Sequence, residues 1–569
     1  MSWKTIAVLV AALAVGFGIL FNMATRLPDA PAHQVFVNGE VLTMDADNRV
    51  AEAISIRGDR IEAVGSSAEI MALVGDDTLV TDLRGRTLLP GFVDAHGHFP
   101  YSGMRVLGVD LNSPPVGELT TMEQVLAALS EQAANTPAGD WVFGFNYDDT
   151  LLAERRHPTR AELDAVSTEH PVVATHVSGH MMVANSAALA AVGIDADTPD
   201  PEGGVIGRVP GSSEPNGLLE ETARLPLMSR MQDISLLDTY RLMKSAANEY
   251  AAVGVTTAQS GGVTPELATG LSLFSRLGVV PQRLVLFPFE TEFGETLYNG
   301  AYDPGDYATD RVAMGAVKLV ADGSIQGYTG YLSHPYHTPY HGDAEYRGYP
   351  SIPREKLFAQ VAALHRAGYQ IAIHGNGDES IEDILDAFEA AQREHPVADP
   401  RMILIHSQMS RQDQVARMKE LGITPSFFTA HTWYWGDRHR DIFLGPERAA
   451  VISPEKWAQQ YGVRFSSHLD TPVTPMAPLQ AVWSQVFRQT YGGDVLGPEQ
   501  RIGVMDALRA VTIDAAWQVF QEDNRGSLEP GKFADMVVLS GSPLDEPMNM
   551  RELQVEQTLI GGATIYRRP

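Results

Sequence analysis

The hydrophobic pattern of this chain changes between its ends and its middle. In residues 33–88, short apolar runs are separated by turn pairs such as Asn38-Gly39, a pattern typical of small antiparallel strands. A similar pattern of apolar runs and glycine turns returns in residues 527–569. We therefore predict that residues 33–88 and 527–569 together build one small β-sandwich domain.

The middle of the chain carries continuous apolar runs that alternate with helical patterns, which is typical of parallel β-α units. A helix is expected after the sixth run, between a capping-box start at Ser410 and a glycine stop at Gly422. The sequence therefore predicts an α/β protein with a (β/α)8 TIM-like barrel over residues 89–526. Its eight candidate strands are 92–98, 253–260, 283–289, 315–322, 369–374, 402–406, 423–428 and 463–470.

The connection between the first two candidate strands, residues 99–250, is too long for a single β-α unit. We expect a large insertion with its own helices and a strand at residues 171–177. Insertions of this kind usually build the substrate side of a barrel site, because barrel loops carry function.

An uncharged apolar run occupies residues 6–21 and is followed by a proline-rich linker. It is apolar on all faces, which argues against a core helix. A membrane span needs roughly 20 apolar residues, so this N-terminal hydrophobic helix is expected to be a short anchor or an export signal. We predict that residues 1–32 are a membrane anchor or signal segment with its linker. The protein is then exported: it faces outward from the cytoplasmic membrane, or is periplasmic or secreted if the segment is cleaved.

Charge and cysteine content exclude several function classes. The chain has 71 acidic and 42 basic residues, a formal net charge of −29, so it repels phosphate backbones and nucleic-acid binding is not expected. It contains no cysteine, which excludes disulfides, thiolate metal ligands and a cysteine nucleophile. Any bound metal must be held by nitrogen and oxygen.

Two histidines, His96 and His98, follow the first candidate strand in the segment LPGFVDAHGH. Alternate residues of a strand share one face, so both imidazoles are expected to point the same way. Neutral imidazole is a common metal ligand, and a metal site is the first hypothesis. The alternative is a solvated pair at a strand end.

Further polar side chains lie in or at the ends of later candidate strands. His374 and His406 end apolar runs, where barrel active sites are assembled, although each alone also fits a hydrogen-bonded core histidine. Lys318 lies inside an apolar run, where an unpaired ammonium is costly. It is either paired with a carboxylate such as Asp322, or deprotonated and carboxylated to bridge two metals. Asp470 ends the eighth strand with a carboxylate.

Taken in chain order, these positions resemble the ligand set of the amidohydrolase superfamily of metal-dependent hydrolases. The segments KLVADGSIQGYTGYLS, IHGNGD and GSLEPGKFADMVVL extend the resemblance over nearly the whole chain after the N-terminal segment. The branch it looks most like is that of the N-substituted formamide deformylases, through GHMMVANSAAL at residues 179–189. The segments LIHSQ and SSHLD depart from the family pattern while leaving the ligand positions filled. The implied metal ligands are His96, His98, Lys318, His374, His406 and Asp470.

The resemblance implies hydrolysis of a non-peptide amide C–N bond, as in an N-acyl or N-formyl amine. One or two divalent ions are expected, zinc first, with Lys318 either carboxylated between two ions or bare beside one. Bound metal lowers the pKa of its water from 15.7 to about 7, and Asp470 is expected to accept that proton and return it to the leaving nitrogen. His406, His180 or His431 would stabilise the oxyanion. Ordinary loop histidines are the alternative for His180 and His431.

Aromatic segments after strands four and seven, residues 328–340 and 431–437, predict an apolar site mouth and a small hydrophobic or aromatic amide substrate. These aromatics could also serve only to pack the loops. Hydrolysis of an ester or lactone at the same metals, and a metal-free binding scaffold, are the other functions the sequence allows. A homodimer is one candidate assembly.

Overall fold

The computed structural model describes residues 27–231 and 234–569. The apolar run at residues 6–21, predicted to be an anchor or signal, lies outside the described residues. Within those two ranges, no helix is both long enough and apolar enough to cross a membrane.

Seven strands and the helix Ser67–Met71 precede the central part of the chain. The order β5-β4-β1-β6 forms one sheet, while β2, β3 and β7 belong to a second. The expected antiparallel pairing is wrong for β1 with β6 and for β2 with β7, which are parallel. Long crossovers, which parallel pairing requires, join these strands. The seven strands are β1 (His33–Val37), β2 (Glu40–Leu42), β3 (Val50–Ala51), β4 (Ala53–Arg57), β5 (Arg60–Gly65), β6 (Leu79–Asp82) and β7 (Thr87–Pro90).

The long region after β8 (Phe92–Val93) contains a six-stranded sheet of its own, in the order β13-β14-β12-β11-β10-β9. The strand expected at residues 171–177 is observed as β11. Helices Met122–Asn135, Arg160–Val166 and Ser186–Ala191 lie between these strands in sequence, and Leu225–Met231 and Leu236–Ala252 follow them. The six strands are β9 (Val109–Asp110), β10 (Val142–Tyr147), β11 (Val172–His176), β12 (Met181–Ala184), β13 (Gly204–Arg208) and β14 (Pro215–Glu221).

Every candidate barrel strand overlaps a strand in the structure, and most of the observed strands are shorter than expected. Strand β17, just before the fourth candidate, is not predicted. Strands β8, β15, β16 and β17 form one parallel sheet, and β18 to β22 form another. No continuous ladder closes these two sheets into one barrel within the described part of the chain. The later strands are β15 (Val255–Val263), β16 (Arg283–Pro288), β17 (Val312–Met314), β18 (Val317–Val320), β19 (Ile371–Gly375), β20 (Met402–His406), β21 (Ile423–Phe427) and β22 (Ser466–Ser467).

Main-chain contacts nevertheless connect the two parallel sheets at both edges. An isolated bridge joins Phe289, just after β16, to Lys318 on β18. At the other edge, Asp470 N donates to His96 O, and His98 N donates to Thr471 O. The residues that follow β8 and β22 are therefore held directly against one another.

Amphipathic helices follow the parallel strands. Helix Asp378–Glu394 buries Ile381, Ile384, Leu385 and Phe388, which recur at helical spacing on one face. The other helices of at least seven residues in this part of the chain are Pro265–Arg276, Arg354–Arg366, Gln412–Leu421, Glu455–Tyr461, Pro478–Phe487 and Val504–Ala510.

The helix expected to start at Ser410 begins at Gln412 instead. The Ser410 hydroxyl lies 2.5 Å from the Ser407 hydroxyl, and the Gln414 side chain accepts a hydrogen bond from the Arg411 amide. The prediction for its end is confirmed, because Gly422 adopts the left-handed conformation that terminates the helix.

Strands from both ends of the chain share one sheet, in the order β25-β24-β23-β7-β2-β3, which includes β23 (Met536–Leu539), β24 (Val555–Ile560) and β25 (Ala563–Arg567). A buried ion pair between Arg283 Nε and Asp535 Oδ2, 2.7 Å apart, ties this sheet to the start of β16. Because β7 runs almost directly into β8, the sheet also fixes the starting point of the segment that carries His96.

Candidate metal centre

The six predicted ligands lie in or just beyond parallel strands. The prediction that His96 and His98 share one regular strand is wrong. Strand β8 ends at Val93. Beyond it the backbone pairs irregularly: His98 forms an isolated bridge with Ser260, and Gly261 N donates to Gly97 O. On the other side, Asp470 N donates to His96 O and His98 N donates to Thr471 O. The segment therefore contacts β15 and the residues after β22 through isolated hydrogen bonds and not through a regular ladder.

His96, His98 and Asp470 converge. Asp470 Oδ1 lies 3.1 Å from His98 Nε2 and 3.5 Å from His96 Nε2. One potential ligand atom from each of the three residues lies within 4.8 Å of the others. Asp470 Oδ1 is buried and has no hydrogen bond of acceptable geometry in the described chain. Two imidazoles and an orphaned carboxylate oxygen are a donor set that fits a divalent metal such as zinc.

Neighbouring groups fix the orientation of His96. Its Nδ1 atom lies 2.9 Å from Gln259 Oε1, so Nδ1–H donates to that oxygen and Nε2 carries the lone pair. The Nε2 atom lies 3.5 Å from both Lys318 Nζ and Asp470 Oδ1, where a cation could lie between the two acceptors. Burial, together with the charge of Lys318, holds the pKa of His96 well below its ordinary value. A neutral imidazole held by a second hydrogen bond is the usual form of a histidine ligand. Sequence reasoning missed Gln259, and no local motif marks it.

Lys318 is buried on β18, with its Nζ atom 3.5 Å from His96 Nε2. The suggested ion pair with Asp322 is not observed among the described residues. The Asp322 carboxylate instead accepts hydrogen bonds from the backbone amides of Tyr331, Asn376 and Gly377. Burial lowers the pKa of Lys318 to about 7, so a substantial fraction of its amine is uncharged near neutral pH.

His374 and His406 face each other, with His406 Nε2 2.9 Å from His374 Nδ1. His374 Nε2 lies 3.1 Å from Gly323 O, and His406 Nδ1 lies 3.1 Å from His468 Nε2. Burial holds the pKa of both histidines well below its ordinary value. The facing nitrogens can share a proton or bind an ion between them. His468, which sequence reasoning treated only as a departure from the family pattern, completes this row of rings.

His180 and His431, the predicted oxyanion donors, are both largely buried. His180 Nδ1 lies 2.7 Å from Glu221 Oε2, and its ring centroid is 5.0 Å from that of His374. Burial opposes ionisation of Glu221, yet the charge and hydrogen bond of His180 keep the pKa of that carboxyl below its ordinary value. His431 packs on Phe428 at 3.9 Å between centroids, and neither of its ring nitrogens has a hydrogen-bond partner among the described residues.

The aromatic residues after β21 are largely occupied by packing. Trp433 contacts Trp483 edge-on at 5.3 Å, and Trp435 is buried with its Nε1–H donating to Asp148 at 3.1 Å. In the segment after β18, Tyr328 and Tyr340 stack at 4.7 Å and are half-buried. Trp433 and Tyr434 are likewise only partly buried, so both segments keep some accessible aromatic surface.

A second cluster, which sequence reasoning missed, combines Asp148, Asp149 and His176 within 4.8 Å. Asp148 accepts hydrogen bonds from Arg438 at 2.6 Å, from Trp435, and from the Thr150 amide and hydroxyl. These four donors occupy its oxygens, so Asp148 is poorly suited to bind a metal. The cluster instead links β10 and β11 to the segment after β21 through the buried ion pair between Asp148 and Arg438.

The parallel strands and the donor set at their ends are those of a metal-dependent hydrolase. The sequence profile of the amidohydrolase family matches residues 79–566. The chain belongs to that family.

Three similar proteins span nearly the whole chain. The N-substituted formamide deformylase of Arthrobacter pascens is 31% identical over 94% of this chain and 98% of that protein. The putative amidohydrolase YtcJ of Bacillus subtilis is 27% identical over 94% of this chain and 99% of that protein. The crystal structure of an uncharacterized metal-dependent hydrolase from Pyrococcus horikoshii has a TM-score of 0.72 at 23% identity and covers 90% of this chain and 98% of its own. The structural similarity supports the fold alone.

Proposed function

We propose that this protein hydrolyses a non-peptide amide bond in a small hydrophobic or aromatic N-acyl or N-formyl amine. The observation that carries the proposal is the convergence of His96, His98 and the orphaned Asp470 carboxylate beside buried Lys318. The similarity to an N-substituted formamide deformylase over nearly the whole chain supports the same bond type.

His96, His98 and Asp470 would hold one divalent metal, with zinc as the first candidate, and His374 and His406 would hold a second. Lys318 would bridge them as a carboxylated side chain, a reaction that requires an uncharged amine and suits its buried position. When bound, the metal supplies a water-derived nucleophile at neutral pH and polarises the substrate carbonyl. In this proposal the two parallel sheets form an eight-stranded barrel, in which β17 and β18 count as one interrupted strand, with the site at its carboxyl end.

Asp470 would move the proton in this reaction. Its carboxylate borders both His98 and His96, where it can accept a proton from the attacking water. The same carboxyl group then returns the proton to the leaving nitrogen, acting first as general base and then as general acid. An amide needs this second step, because an amine anion is a very poor leaving group.

His180 and His431 would donate to the developing oxyanion, with His406 as a further candidate. His180 lies beside His374, and His431 has two buried ring nitrogens available for a substrate. Donors aimed at the position where charge develops in a dry site stabilise the transition state strongly.

The proposal is tested by activity screening. Purified protein is stripped with a chelator, reloaded with zinc, manganese or iron, and assayed against N-formyl amines, N-acyl amino acids, esters and lactones. We expect metal-dependent turnover with the highest kcat/KM for a formyl or acyl amine, and none in the stripped protein. A higher kcat/KM for an ester or lactone across the panel would contradict amide specificity, and metal-independent turnover would contradict the site.

A further inference from the structure

Strand β14 ends in two adjacent buried carboxylates, Glu220 and Glu221, that face different partners. The Glu220 carboxylate accepts hydrogen bonds from the hydroxyls of Tyr349 at 3.1 Å and Tyr340 at 3.4 Å. Glu221 Oε2 instead lies 2.7 Å from His180 Nδ1. Only the second carboxylate contacts a side chain that borders the metal centre.

The backbone at Glu221 is held in an unusual conformation. Its φ of 49° and ψ of −119° lie in a region that residues other than glycine rarely adopt. The Glu221 amide donates to His180 O at 2.9 Å, so the backbone and the side chain of Glu221 both engage the same histidine. A strained residue that persists in a buried position indicates a constraint imposed by function or packing.

The segment after β18 also makes room for this carboxylate. A Cβ atom at Gly323 would lie 2.2 Å from Glu221 Oε1, so only glycine permits the approach. Gly323 O is also 3.1 Å from His374 Nε2. One short segment therefore contacts both the carboxylate that holds His180 and a proposed metal ligand.

We infer that Glu221 is a positioning residue that holds His180 through Nδ1 and directs its Nε2 atom toward substrate bound at the metal centre. The inference rests on the proposed function, in which His180 donates to the substrate oxygen. With Nδ1 engaged by Glu221, Nε2 is the only ring nitrogen left for that contact. The long region between β8 and β15 thereby contributes a catalytic group whose orientation is set within that region.

Steady-state kinetics of metal-loaded Glu221→Met, Glu221→Gln, His180→Ala and the double variant Glu221→Met/His180→Ala test the inference. Methionine removes the hydrogen-bond acceptor at similar length, while glutamine restores one. We expect Glu221→Met to lower kcat about 10- to 100-fold with a much smaller change in KM, and Glu221→Gln to recover much of that loss. The double variant should be no slower than His180→Ala, because the carboxylate acts through that ring.

Glu220→Gln is the matched control, since it alters the neighbouring buried carboxylate and its tyrosine partners without touching His180. Metal content per chain should stay equal across all variants. A multiplicative loss in the double variant, or an equal loss in Glu220→Gln, would overturn the inference in favour of a purely structural role.

Crystal structures of the wild type and Glu221→Met provide a readout that does not depend on turnover. The His180 ring should lose its single orientation in the variant while His374 stays in place. An unchanged His180 ring would overturn the positioning role even if the enzyme acts on another bond. Absence of amide hydrolysis by the wild type, with a reoriented ring in the variant, would instead refute the proposed function alone.

Discussion

Asp470 Oδ1 lies 3.1 Å from His98 Nε2, yet it forms no hydrogen bond of acceptable geometry in the described chain. Burial alone would raise the pKa of this carboxyl, but the facing histidines hold it well below its ordinary value. Asp470 also has a positive φ of 55°, a conformation that is uncommon outside glycine. A buried carboxylate that stays ionised and faces two imidazoles is suited to bind a metal cation.

Replacing Asp470 with asparagine separates metal binding from the proposed proton transfer. We expect Asp470→Asn to retain much of its metal but to lower kcat by a factor on the order of 10²–10⁴. The loss should be larger for amides than for esters with good leaving groups, because only the amine must be protonated to depart. Metal analysis and parallel kinetics on both substrate types check this. Equal losses at matched metal content would assign Asp470 to metal binding alone.

His96→Ala and His98→Ala should each remove metal and nearly all turnover while leaving the protein folded. The expectation follows from their place beyond the strand ends, where substitutions affect activity more than stability. Mass spectrometry measures the metal content per chain, and circular dichroism shows whether each variant is folded. His395→Ala, at an exposed histidine after helix Asp378–Glu394, serves as control and should keep both metal and rate. Normal turnover in either site variant would refute the ligand assignment.

Metal uptake should depend on carbon dioxide through Lys318. Carboxylation turns a buried amine into an oxygen ligand, so stripped wild-type protein should bind fewer ions per chain in carbon-dioxide-free buffer than with bicarbonate. Lys318→Met should bind less metal in both buffers and show no bicarbonate effect. If the wild type binds the same number of ions with and without bicarbonate, carboxylation of Lys318 is not needed for metal binding. The uncarboxylated lysine, or a centre with a single metal, would then be sufficient.

Glu455 predicts a pH-dependent stability away from the metal centre. It is fully buried, the Thr429 hydroxyl donates to it, and burial raises its pKa from 4.5 to about 8. The folded protein keeps this proton where the unfolded chain releases it, so the free energy of unfolding falls as pH rises from about 4.5 to 8. Glu455→Gln should gain stability relative to wild type over that range, by at most about 1.4 kcal/mol per pH unit.

Urea denaturation at pH 5.5, 7 and 8.5 measures this difference. Exposed Glu447→Gln is the control and should leave the pH dependence unchanged. A constant stability difference between Glu455→Gln and wild type across this range would show that Glu455 ionises normally in the folded protein.

Much of the fold could be predicted because the strands that carry the site are continuous apolar runs. The runs ending in His374 and His406 were placed within two residues of β19 and β20. The first run is less well predicted, because the strand is expected to continue to His98 whereas regular pairing ends at Val93. The residues beyond Val93 form hydrogen bonds with two different segments. The local sequence predicts whether a segment is buried better than it predicts whether its backbone hydrogen bonds form a regular β-ladder.

The residues that support the site could not be predicted in the same way. Gln259 contacts the proposed ligand His96, and Glu221 contacts the proposed donor His180, each from a distant part of the sequence. Neither residue stands in a recognisable motif. The histidines proposed as ligands could be predicted because active-site groups of barrels lie at strand ends. Their hydrogen-bond partners depend on the packing of whole segments, which only the three-dimensional structure shows.

The pairing of β7 with β23 also has a consequence for the order of events during synthesis. A nascent chain that has reached residue 530 already contains every proposed ligand, but β7 still lacks its neighbour Met536–Leu539. Until that segment leaves the ribosome, the edge of β7 offers unpaired peptide groups to any other strand. Chains whose synthesis stops between residues 530 and 539 should therefore aggregate, although they contain all of the proposed ligands. The centre can be completed only shortly before the finished polypeptide leaves the ribosome.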